Sequence, residues 1–140
     1  MPKMAFEGKT YYGPAGAEAT LLIENITNEN YDYDHDEGNT TVRGNGSAPP
    51  VETGQVTVRK VSGGFTMVND ENDTILAALL AAAFGGQPVA LRTKSHTSGK
   101  GYNGDIILKV KEGKPINGEQ TYDFTWRPTR QANRAPQLFV

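Results

Sequence analysis

Tyr122, Phe124 and Trp126 fall on every second position of one stretch, and Ile106, Leu108 and Val110 do the same in another. A period of two puts such residues on one face of an extended strand, so strands are predicted over Gly104–Glu112 and Gln120–Arg127. The turn Glu112-Gly113-Lys114-Pro115 with Asn117-Gly118 joins them. The same alternation sets Tyr31, Tyr33 and His35 against Asp32, Asp34 and Asp36, and Val56 and Val58 against Thr57 and Arg59. Runs of this kind must bury their apolar faces against one another. The chain is therefore expected to be mainly β, a sandwich or barrel.

Glycine and proline punctuation places the remaining elements. Phe6 to Tyr12 reads as a first strand closed by Gly13-Pro14-Ala15-Gly16, and Ala19 to Ile26 as a second. Thr40 to Arg43 continues the Tyr31 strand. Gly44 to Gly54 has no pattern and two prolines, and reads as a long loop. Gln55–Val61 and Gly64–Val68 flank Ser62-Gly63-Gly64, a spacing that predicts a hairpin. One helix stands out, Asp73 to Phe84: Asn69, Asp70, Asn72 or Asp73 can cap it, and Gly85-Gly86 and Pro88 stop it. Leu76, Leu79, Leu80 and Ala83 form its core-facing stripe, with Ile75 and Phe84 at the margins. Its other face is mostly alanine, which permits close approach of a second surface. A strand over Pro88–Lys94 follows. The chain divides into a β domain, residues 1–127 with the 44–54 loop, and a C-terminal arm, residues 128–140.

Composition narrows the class. The 140 residues suffice for one domain, and sixteen glycines and eight prolines suit a turn-rich β fold. Mean hydropathy is -0.54, so the chain buries little apolar surface alone, and self-association is the simplest further source. The absence of cysteine removes disulfides and thiolate chemistry. The N-terminus has no apolar signal segment, and the longest apolar run, Ile75 to Phe84, is half the length needed to cross a bilayer. A soluble protein, without membrane insertion and held in the cytosol until assembly, is the expectation. Residues 1–90 carry 12 acids and 5 bases, whereas residues 91–140 carry 4 acids and 9 bases. An acidic and a basic face on one domain can attract each other head to tail.

Site chemistry is thin. Asp32, Asp34, His35, Asp36 and Glu37 resemble a cation loop, but an EF-hand counted from Asp32 needs glycine where Glu37 stands and a carboxylate where Arg43 stands. His35 and His96 are the only histidines, and no Gly-x-Ser-x-Gly elbow accompanies them. The glycine-rich stretches at Gly44 and Gly99 lack the P-loop pattern. Tyr122, Phe124 and Trp126 with Arg127 and Arg130 could stack bases, but alternating aromatics more often form half of a sheet core. No catalytic residue, metal site or cofactor is indicated, and an enzyme is not expected.

The order of motifs resembles a known family. Lys9-Thr10-Tyr11-Tyr12-Gly13, Thr41-Val42-Arg43-Gly44 and Gly63-Gly64-Phe65-Thr66-Met67-Val68-Asn69-Asp70 come first. The helix ending Ala83-Phe84-Gly85-Gly86-Gln87-Pro88, then Gly101-Tyr102-Asn103-Gly104-Asp105 and Trp126-Arg127-Pro128-Thr129, complete the series. This pattern is similar to the tail tube (major tail) proteins of long-tailed phages. The resemblance implies a β-sandwich or barrel with one flanking helix, six subunits per ring, and rings stacked into a tube that conducts DNA in a virion tail. It also implies partners: copies of the chain, a tape measure, a terminator and a tail tip, with DNA in transit and no sequence-specific binding. Glu18, Glu24, Glu29, Asp32, Asp34, Asp36 and Glu37 are the candidate lumen or ring-face acids, since a lumen that repels phosphate passes DNA. Gly44, Pro49, Pro50, Arg130, Arg134, Leu138 and Phe139 are the candidate inter-ring contacts. The alternatives are another virion part, such as a capsid decoration, tail terminator or neck protein, and a monomeric binding module.

Overall fold

A computed structural model of the chain describes residues 2–3, 8–41 and 49–140. The strands are β1 (Lys9–Pro14), β2 (Leu21–Leu22), β3 (Ile26–Asn39), β4 (Gly54–Val68), β5 (Val89–Lys94), β6 (Asn103–Gly113) and β7 (Thr121–Pro128). A single helix, α1 (Thr74–Gly85), lies between β4 and β5. All strands pair antiparallel in one sheet of order β2-β1-β5-β6-β7-β4-β3.

The sheet curls until its two ends meet on one stretch of chain. Leu21 and Leu22 pair with β1, and Ile23 N–H donates to the Thr10 carbonyl at 2.9 Å. Val68 N–H then donates to Asn25 at 3.3 Å, and from Ile26 onward the chain pairs with β4. Side chains bridge the same seam, where Thr10 Oγ1 donates to Glu29 Oε2 at 2.8 Å. The predicted Ala19–Ile26 strand is thus divided between two partners.

Alternation sorts each strand into an inner and an outer face. Val61, Phe65, Met67, Ile106, Leu108, Phe124 and Trp126 point inward and are buried. Trp126 packs against Tyr102 with ring centroids 4.9 Å apart, and Phe65 stacks on Phe124 at 5.1 Å. α1 closes this core with Leu76, Leu79 and Ala82. Leu80, Ala83 and Ile75 are only partly buried, and Phe84 is 76% exposed. The buried stripe is therefore rotated from the expected one toward Ala82. Asp73 caps the helix as expected: its Oδ1 accepts from the Ile75 and Leu76 amides at 3.1 and 3.2 Å. Gly86 ends it at φ 67, a left-handed backbone that suits glycine.

One local expectation is overturned. Ser62-Gly63-Gly64 is not a turn, and Gln55–Val61 and Gly64–Val68 are not a hairpin. Both belong to β4, which runs unbroken for 15 residues. The glycines serve close approach instead. A Cβ on Gly63 would lie 2.9 Å from the Trp126 indole, and one on Gly64 would lie 2.7 Å from the Phe124 carbonyl oxygen. Part of the predicted first strand (Phe6 and Glu7), the Val42-Arg43 extension and residues 44–48 of the loop lie outside the described residues. At the loop's far end, Thr40 and Thr53 carry the β3–β4 pairing beyond Asn39 through a 3.1 Å backbone bond.

Candidate assembly interface

β3 and β4 pair along almost their whole length, from Ile26–Met67 to Asn39–Gly54, whereas β7 meets β4 only from Gly63 to Val68. Among the described residues Gly54 to Ser62 therefore have a strand on one side only, and the outer half of the hairpin is a two-stranded ribbon. Its side chains are largely solvated: Tyr33, Val56 and Val58 are each about half exposed. β6 has a similar gap. It pairs with β5 only from Asn103 to Ile106, so among the described residues Ile107 to Gly113 have β7 on one side and no strand on the other. β3 is the sheet's last strand.

The four strands β6-β7-β4-β3 thus form a panel between two incomplete edges, and its outer face is polar. Lys109, Thr125, Gly64 and Asn30 make one row across it, and Lys111, Asp123, Thr66 and Asn28 the next. Thr66 Oγ1 donates to Asp123 Oδ1 across that second row at 2.7 Å. Beyond them Ile107 pairs with Arg127 across β6 and β7, and Ser62 with Asp32 across β4 and β3, which continue as Lys60 with Asp34 and Val58 with Asp36 on the ribbon. The β6 edge of the panel carries Lys109 and Lys111, and the β3 edge carries Asp32 and Asp34. The two edges have opposite charge.

The seven candidate acids do not share a surface. Asp32, Asp34 and Asp36 line the panel's outer face, and Asp36 pairs with Lys60 at 2.9 Å. Glu29 points the other way, into the seam, where it binds Thr10 Oγ1 and accepts from the Tyr31 hydroxyl. Glu37 is held by His35 Nε2 at 2.9 Å, and Glu18 and Glu24 lie in the connections around β2. Burial, reinforced by the Glu29 carboxylate, pushes the Tyr31 phenol far above its ordinary value of 10.0. Burial also raises Tyr102, whose hydroxyl donates to the Asp105 carbonyl at 2.8 Å.

The candidate inter-ring residues divide too. Gly44 lies outside the described residues, and Pro49 and Pro50 are exposed at the base of the ribbon's loop. Residues 128–140 fold back along the body. Asn103 and Gln137 exchange backbone bonds of 2.9 and 2.8 Å, and Gly101 and Val140 exchange a pair of 3.1 Å. Arg134 fastens this segment: Nη1 donates to the Ala17 carbonyl at 2.6 Å, Nη2 to Asn103 Oδ1 at 2.6 Å, and Nη1 lies 3.5 Å from the fully buried Asp105 carboxylate. Asp105 also accepts from the Gly16 amide at 3.0 and 3.1 Å. Arg134 and Leu138 are thus engaged within their own chain, while Arg130 and Phe139 stay exposed. Between this segment, the ends of β6 and β7, and the free side of β4 opens a groove of about 500 Å³. Val58, Ile107, Pro128, Pro136 and Leu138 give it an apolar floor, with Arg59, Arg127 and Arg130 around it.

The chemical candidates stay apart. His96 Nδ1 contacts Ser95 Oγ at 3.0 Å on the surface, and Phe124 and Trp126 belong to the core. No three His, Asp or Glu side chains converge on one point among the described residues. Sequence reasoning missed Lys109 and Lys111. They stand on the polar positions beside Leu108 and Val110, and only pairing shows that those positions end on an open strand edge.

Comparison with solved structures turns this description into a fold assignment. The chain has a TM-score of 0.68 to a chain of the SPP1 tail tube, at 10% identity, covering 99% of this chain and 81% of that one. It shares the fold of the SPP1 tail tube protein. A chain in the tail of an empty gene transfer agent particle, refined as a helix with C6 symmetry, gives a TM-score of 0.75 at 14% identity, over 99% of this chain and 100% of that one. A chain in the virion of the native gene transfer agent particle gives 0.70 at 13% identity, with 99% and 100% covered. No family model and no curated protein sequence matches the chain.

Proposed function

We propose that the chain is a structural subunit that closes into six-membered rings and stacks into a phage-type tail tube conducting DNA. The carrying observation is the β6-β7-β4-β3 panel, which ends in unpaired strand edges of opposite charge. Open edges recruit strands, and these two are complementary: Lys109 and Lys111 on β6 face Asp32 and Asp34 on β3 of the next copy. Edge-to-edge addition joins the panels into a continuous sheet, and ring closure removes every open edge. The fold shared with a chain of the C6 tail supports the six-membered ring.

The panel's polar face then lines the lumen. Asp32, Asp34, Asp36 and Asp123 stand there against Lys60, Lys109, Lys111 and Arg127, so the wall carries balanced charge. Such a wall gives the phosphate backbone no counterion-release gain and lets DNA slide. In this reading the chain is no enzyme. It resides in a virion tail and meets a tape measure, a terminator and a tail tip besides its own copies.

Electron microscopy of concentrated protein beside sedimentation tests the proposal. Wild type is expected to give hollow six-fold rings or tubes. Lys109→Glu with Lys111→Glu is expected to leave monomers of unchanged circular dichroism, and adding Asp32→Lys with Asp34→Lys to restore rings. Wild-type protein that stops at a trimer or a single capping ring would favour another virion part, and a lasting monomer would refute self-assembly.

A further inference from the structure

The two ends of β7 carry opposite features. At its start, the β6–β7 turn presents Ile116 with its side chain 100% exposed. Glu119 follows in the same turn, and Lys114 is occupied by Glu112 at 3.3 Å. The 69–73 segment lies alongside: Asn69 N–H donates to the Gln120 carbonyl at 2.9 Å and its Nδ2 to Gln120 Oε1 at 2.7 Å. That contact brings Asp70 and Glu71 to the same end. At the far end of β7, eight residues and about 26 Å away, the groove opens between β4 and the C-terminal segment. Arg59, Arg127 and Arg130 have no ion pair among the described residues.

We infer that Ile116 of one copy seats in the Arg127–Arg130 groove of the next copy, and that this contact stacks the rings. The inference rests on the tube reading above. The apolar floor of Val58, Ile107 and Leu138 takes the isoleucine, while the surrounding arginines face Glu119, Asp70 and Glu71. A single chain cannot fill its own groove, because tip and groove sit at opposite ends of one strand. Copies joined tip to groove point the same way, so the contact is heterologous and repeats without closing. It runs along the strands, whereas the charged edges act across them. Ring closure and stacking therefore run in different directions, the first through the Lys109–Lys111 and Asp32–Asp34 edges and the second through the tip and the groove.

The chain has no cysteine, so Ile116→Cys with Ile107→Cys provides a direct test. Mild oxidation of the assembled double variant is expected to give a ladder on a non-reducing gel, in steps of one 15.2 kDa chain. Each single variant should stop at dimers. Arg127→Glu with Arg130→Glu should convert tubes to free rings at unchanged circular dichroism. Tubes visible by microscopy without a ladder, or full-length tubes from the charge-reversed groove, would overturn the inference and leave the tube reading standing. Failure of wild type to form rings or tubes would overturn both.

Discussion

Gly63 shows how one residue can serve a purpose its neighbours in sequence do not reveal. Its Cα lies under the Trp126 indole and faces the Asn30 carbonyl, and an added Cβ would meet them at 2.9 and 2.7 Å. Neither partner can yield, since Trp126 is fully buried and Asn30 is held in the β3–β4 ladder. Overpacking of this kind costs about 1–3 kcal/mol. Gly63→Ala is expected to lower Tm by about 5–10 °C in a calorimetric scan. Tyr31 and Tyr102 make a second residue-scale case. Their folded pKa values lie above the unfolded value, so the folded state holds these protons more tightly. The stability this confers is fully present below about pH 10 and declines as pH rises past the unfolded phenol value. Urea midpoints should stay flat on this account up to that pH and fall above it, and Tyr31→Phe should flatten the fall.

At the scale of elements, α1 depends on its first turn. Asp73 caps two amides and also accepts Asn25 Nδ2 at 2.8 Å, which ties the β2–β3 connection to the helix. Asp73→Ala should cost about 1 kcal/mol for the cap and more for the stranded Asn25 amide, as read by thermal denaturation. Asp73→Asn should lose less. This helix was legible in the sequence because caps and stops are local signals within a few residues. So were β6 and β7, which carry the alternating inward residues Ile106, Leu108, Phe124 and Trp126, whereas β5 followed from the stop before it and buries Val89, Ala90 and Leu91 in succession. β4 was misread because Gly-Gly carries two local meanings, a turn or a close approach, and only Trp126 and Phe124, some sixty positions away, choose between them. The placing of Ala82 rather than Leu80 inward likewise depends on where β6 runs beneath the helix.

At the scale of the molecule, the charge asymmetry between the two halves of the chain becomes a spatial pattern, although not the one the halves suggest. The acids from Glu18 to Glu37 scatter over two faces and the β2 connections, because β3 alternates and Glu29 is drawn into the seam by Thr10 and Tyr31. What the proposed ring pairs across copies is the Asp32–Asp34 edge with the Lys109–Lys111 edge. Exposed charges act through solvent, and at 1 M salt the screening length falls to about 3 Å. Sedimentation should therefore show ring formation weakening as salt rises, with the Tm of a monomeric variant little changed. Association that strengthened with salt would point to an apolar seam instead.

The sequence by itself determined the mainly β class, the faces of the regular strands, the capped helix and the absence of thiol chemistry, since each follows from residues close together along the chain. Tertiary structure alone decided the unbroken β4, the curl that joins both sheet ends on residues 21–39, the anchoring of Arg134 to Asp105 and Asn103, and the open edges of the panel. Those features rest on pairings between residues tens of positions apart, and a strand's alternation fixes its faces without naming the neighbour on either side.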